Sequence, residues 1–160
     1  MTLRPEIRQR LQFLNRVVNK ESRHLLVTFK RLSSVDLSPD QIAELENDPD
    51  LAERIDAFVS RFGRLQDTLG DKLLPILLKA LGEKTGAAVD NLDRAERLGW
   101  IVSVDEWLEI RRLRNQMIHE YVEDPVILAD ALEAALRYVA VLTETAGRMT
   151  LEIERRGWNA

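Results

Sequence analysis

Apolar residues recur along this chain at three- and four-residue intervals, and almost nowhere at two. Ile7, Leu11, Leu14, Val18, Leu25, Phe29 and Leu32 form one stripe, which predicts a helix from about residue 5 to residue 32. Pro5 suits its first turn, where a missing N–H leaves no bond unmade, and Glu21 interrupts the stripe. A second stripe, Leu51, Ile55, Phe58, Phe62, Leu65, Leu69 and Leu73, alternates steps of four and three in the manner of a coiled-coil seam. Pro75 falls inside that run and predicts a kink or a division near DKLLP. A third stripe runs through Leu128, Leu132, Ala135, Val139, Leu142, Ala146, Met149 and Ile153.

The residues between the stripes read as helix ends. Ser38 followed by Pro39 opens a short helix, and NDPD separates it from the next. LGEKTGAAVDNLD reads as a loop, or a loop with one helical turn, and DNLDRAERLGW as a short helix stopped by Gly99. Ser103 with Glu106 three residues later is a capping box, opening a helix from about 104 to near 121. Asp124 then caps a helix beginning at Pro125, and residues 154–160 are expected to fray. The sum is an all-α, up-and-down bundle of four main helices plus short ones, in one domain spanning residues 1–160.

Composition narrows the chemistry. The absence of cysteine excludes disulfides, thiolate catalysis and cysteine zinc sites. The two histidines are far apart and no carboxylate spacing singles out a ligand set, so neither a metal nor a cofactor is expected. A net charge of −4 argues against nucleic-acid binding over the whole surface; any such contact must be a local basic cleft on an acidic body. No apolar run reaches the length of a membrane span or a signal segment, so a soluble, cytoplasmic protein is expected.

One stretch concentrates reactive side chains: LRNQMIHEY, with Arg114, Asn115, His119 and Tyr121. At about 100° per residue, Arg114 and Tyr121 share a helix face, and His119 stacks over Asn115 one turn earlier. Arg114 and His119 lie roughly 7.5 Å apart along the axis, so both side-chain tips could reach one small anion. Histidine exchanges a proton near neutrality, and arginine offers a permanent planar fork that fits a phosphate. Together they supply the minimum for RNA cleavage by its own 2′-hydroxyl. The same spacing is met by a surface ion pair beside a histidine favoured by the helix dipole, and spacing alone favours that plainer assignment. His24, near Lys20 and Arg23, reads as a solvated residue; Asp67, Asp71 and Lys72 read as a polar face; Trp100 and Trp107 read as packing between two helices.

RNQMIHEY resembles the Arg-x4-His-x-Tyr signature of HEPN domains, in particular the toxins of HEPN/MNT toxin–antitoxin pairs. RLQDTLGDKLLP resembles the segment before that family's mid-helix proline, and DRAERLGWI…EWLEIRRLRN resembles its lead-in to the motif. The resemblance implies a metal-independent ribonuclease with Arg114 and His119 as its active-site pair. Asn115 matches the polar residue that follows the motif arginine. It also implies a homodimer or higher oligomer in which Arg111, Arg112 and Arg114 of two copies line one cleft and bind RNA. The implied partner is a small nucleotidyltransferase antitoxin, which in some family members adds AMP to the tyrosine matched here by Tyr121. A non-catalytic nucleotide- or substrate-binding subunit of such a transferase carries the same motif, and a helical interaction module is the remaining alternative.

Overall fold

The computed structural model describes residues 2–120 and 123–160. Seven α-helices follow one another among them: α1 (Pro5–Leu32), α2 (Pro39–Ala43), α3 (Pro49–Asp67), α4 (Leu74–Ala80), α5 (Ala88–Arg97), α6 (Val104–Glu120) and α7 (Pro125–Arg155). A 3-10 turn, Leu45–Asn47, precedes α3, and a π-helical segment, Thr68–Leu73, joins α3 to α4. No strand occurs among the described residues, and the chain forms an all-α helical bundle.

The local signals act where the residues stand. Ser38 Oγ accepts the Gln41 N–H and Asp48 Oδ1 accepts the Leu51 N–H, each ahead of a proline at the start of a helix. Asp124 Oδ1 accepts the N–H groups of Val126 and Ile127, and Pro125 begins α7. Gly99 ends the α5 region with φ of 80°, a conformation that disfavours a Cβ. Pro75 lacks an N–H and its ring would crowd the carbonyl four residues earlier. The chain meets that demand with the wide turn of Thr68–Leu73, where the Leu74 N–H reaches the Leu69 carbonyl.

α1 packs against α3 and α7, and α6 packs against α3 and α7, so α3 stands between α1 and the motif helix. The four-three seam of α3 is buried along its whole length, and so is the α7 stripe. These residues belong to one continuous apolar cluster. Trp100 and Trp107 join it, both almost fully buried. The residues expected to fray are instead held against α1: Arg8 Nη1 donates to the Gly157 carbonyl at 2.9 Å, and Gln12 Nε2 donates to the Ala160 carbonyl at 2.7 Å. Trp158 also packs on the core edge beneath Arg156. No helix among the described residues is long and apolar enough to cross a membrane.

Candidate active site

The placement of the motif begins at Ser103, whose Oγ accepts the Glu106 N–H at 3.2 Å and starts α6. Trp107, Ile110, Leu113 and Met117 then turn inward and fix the rotation of the helix. Arg114 and Arg111 are left on the flank facing α3 and the π segment, while Arg112, Asn115 and His119 lie further toward solvent.

Arg114 is held in place. Its Nη2 pairs with Asp67 Oδ2 at 2.8 Å, and its Nη1 donates to Asn115 Oδ1 at 3.0 Å. Its stem lies over Gly63, where an added Cβ would come within 3.2 Å of Arg114 Cγ. Nε is buried without a hydrogen-bond acceptor among the described residues. The side chain is still 29% exposed, so part of the guanidinium is available to an incoming anion. His119 is exposed one turn beyond Asn115 on the same side of α6. Asn115 is thus bonded to the arginine and stands one helical turn before the histidine. Tyr121 lies outside the described residues.

Arg111 pairs with Asp71 at 3.1 Å, beside the Arg114–Asp67 pair. Arg112 does not join them. It is gripped by both oxygens of Glu109, at 2.6 and 2.9 Å, and also donates to Gln116. That bidentate bond holds the Glu109 carboxyl below its ordinary range and pushes the Arg112 guanidinium higher. Each of the three arginines expected to furnish a basic cleft thus has its own carboxylate, and within one copy the cluster carries no surplus positive charge.

Behind Asp67, on the α1 side, Thr68 Oγ1 donates to Glu21 at 2.9 Å. Burial pushes the Glu21 carboxyl above its ordinary value, opposed by the Thr68 bond and by Arg64 and Lys72. Asp67 adds a repulsion in the same direction as burial. The residue that breaks the α1 stripe is therefore the partner of a buried threonine on the π segment.

Asp67, Asp71 and Gly63 are the members of this site that sequence reasoning did not select. A signal for them exists. Asp67 and Asp71 are four apart, Arg111 and Arg114 are three apart, and Gly63 and Gly70 flank Asp67 by four and three. Two helices carrying such complementary rungs, with small residues between them, can approach closely. His24 is exposed on α1, and its carbonyl accepts from Arg61 at 3.1 Å. No group of three or more His, Cys, Asp or Glu side chains among the described residues is placed to hold a metal ion. No family model matches this chain, and no curated protein or solved structure matches it.

Proposed function

We propose that this chain is a HEPN-type ribonuclease that cuts RNA without a metal ion, acting in the cytoplasm as the toxin of a toxin–antitoxin pair. The observation that carries the reading is the placement of Arg114, Asn115 and His119 along α6: a partly exposed guanidinium fixed by Asp67 and bonded to Asn115, with an exposed imidazole one turn on.

In this reading His119 takes the proton of a ribose 2′-hydroxyl. The 2′-oxygen attacks the adjacent phosphorus, the bond to the 5′-oxygen breaks, and that oxygen leaves with a proton. The products are a 2′,3′-cyclic phosphate and a 5′-hydroxyl. Arg114 stabilises the charge that builds on the phosphorane oxygens, using the N–H groups not committed to Asp67 and Asn115. Asn115 orients the guanidinium toward the histidine. A second copy supplies the opposite wall of the cleft and a second histidine for the leaving oxygen. A nucleotidyltransferase antitoxin neutralises the protein by transferring AMP from ATP to the Tyr121 hydroxyl, with pyrophosphate leaving, and the added phosphate competes with RNA for Arg114.

The test is cleavage of single-stranded RNA in EDTA by wild type and by His119→Ala. Loss of one acid–base group is expected to lower the rate by about 10²–10⁴-fold. Equal cleavage by the variant rejects the mechanism. Co-expression with a cognate nucleotidyltransferase should add the mass of AMP, and Tyr121→Phe should abolish the gain. A second reading is favoured by the 2.8 Å Arg114–Asp67 pair, which already occupies part of the guanidinium. There the chain binds nucleotide for a transferase and cuts nothing. Nucleotide binding lost in Arg114→Ala, with every RNA left intact by wild type, selects it.

A further inference from the structure

If the arginines of α6 are each matched by a carboxylate, a polyanion must be gathered elsewhere. The charge of this chain is unevenly spread. Residues 1–32 hold eight of its 23 lysines and arginines but only two of its 27 acidic residues, a formal charge of +6. The other 128 residues carry 15 basic and 25 acidic side chains, a formal charge of −10.

The excess is concentrated on one face. The core side of α1 is taken up by Leu11, Leu14, Val18, Leu25 and Leu32, none more than 1% exposed. Arg10, Arg16, Lys20, Arg23, Lys30 and Arg31 all project into solvent. By helix geometry they fall within an arc of roughly 160° centred opposite that core side, over a length of about 31 Å. No ion pair among the described residues involves any basic side chain of α1. The exposed Phe13 lies in the same arc with the Arg10 guanidinium 5.5 Å from its ring centre. The middle of this face, at Lys20 and His24, adjoins Glu21, which feels the charges of Arg64, Lys72 and Asp67. Asp67 is the partner of Arg114, so the basic face and the candidate site meet across the width of α3.

We infer that the solvent face of α1 is the docking surface for the phosphate backbone of a single-stranded RNA, which crosses α3 to reach Arg114. The charge pattern suits a polyanion; its identity as RNA rests on the ribonuclease reading. A row of unpaired cations with one exposed aromatic suits a strand bound through phosphates and an occasional stacked base. An anionic membrane is the poorer fit, because a surface-lying helix needs a broad apolar face to immerse; the apolar stripe of α1 is committed to the core, and only the scattered Phe13, Leu26 and Val27 are exposed outside it.

The test uses the full chain and a fluorescent single-stranded RNA in which every sugar is 2′-O-methylated, so that binding is read without cleavage. Arg16→Gln/Lys20→Gln/Arg23→Gln is compared with a control of equal charge change on and near α5, Lys84→Gln/Arg94→Gln/Arg97→Gln. All six positions are away from the core, and circular dichroism checks that both variants keep their helices. The α1 variant is expected to bind at least about tenfold more weakly at moderate salt. Its plot of log affinity against log salt should flatten by about two, from a loss of about 0.7 per phosphate contact. The control should bind like wild type. Unchanged binding by the α1 variant, an equal loss in the control, or wild type that ignores the RNA but binds phosphatidylserine vesicles overturns the inference. So does a loss that coincides with dissociation of an oligomer in light scattering, which assigns the face to a second copy. Binding that depends on α1, without cleavage of unmodified RNA, upholds the inference and rejects the nuclease.

Discussion

The seam between α3 and α6 and the outer face of α1 are both rich in arginine, and they use it in opposite ways. In the seam, Arg114 and Arg111 reach across to Asp67 and Asp71, and Gly63 and Gly70 let the helices close in. On the outer face of α1 the basic residues have no carboxylate partners among the described residues and stand in solvent. A guanidinium with a fixed partner is a positioned group; a row without partners is a field. The first suits stabilising charge at one atom, the second suits gathering a chain of charges from a distance.

The sharpest way to break this contrast is to remove a partner. Asp67→Ala leaves Arg114 half-buried with Nη2 and Nε both short of acceptors, and should cost about 1–3 kcal/mol in urea unfolding. Arg23→Gln, on the open face, should change stability by no more than about 0.5 kcal/mol. Equal effects would dissolve the distinction. The two glycines divide next. At Gly70 an added Cβ would sit 3.2 Å from Trp107 Nε1 and 3.4 Å from Cζ2, against a rigid, buried ring. Gly70→Ala should destabilise by about 1–2 kcal/mol, overpacking outweighing the better helix propensity. At Gly63 the neighbour is the flexible stem of Arg114, which can yield. Gly63→Ala should be near neutral in stability while lowering RNA cleavage about tenfold, because the guanidinium shifts.

The smallest effect concerns Glu21. Its carboxyl titrates above its unfolded value, so the native state holds the proton more tightly and stability falls as pH rises through that range. Glu21→Gln keeps an acceptor for Thr68 and removes the ionisation. It should flatten that decline and stabilise the fold at pH 7 by less than about 1 kcal/mol, measured as melting temperature against pH.

Much of the frame is legible in the sequence because it depends on local rules. The bounds of α1, the caps at Ser38 and Asp124, the Gly99 stop and the buried faces of α1, α3 and α7 follow from periodicity and cap chemistry. The packing of Trp100 and Trp107 follows from size and placement. Pro75 signals that the helix must give way, but not how; a kink, a break and a wide turn all satisfy a missing N–H. The π turn is chosen by what it packs against, including Trp107 over Gly70, and that is a tertiary matter. The pairs of the site are hidden for the same reason. Asp67 and Arg114 are 47 residues apart, and a run of charged residues on one helix looks like a solvated face until its neighbour is known. The composition of the tail alone does not show that α1 offers Arg8 and Gln12 to its carbonyls.

The contact between Trp107 and the π turn also makes the seam visible to light. The chain has three tryptophans. With Trp100 and Trp158 changed to phenylalanine, the only indole left is the one stacked against Gly70, in the segment whose Asp71 pairs with Arg111. Its emission would shift to the red if an anion at Arg114 pulled the two helices apart and admitted water. The protein thus carries a native optical probe on the wall of its own candidate site, able to follow ligand entry without a label.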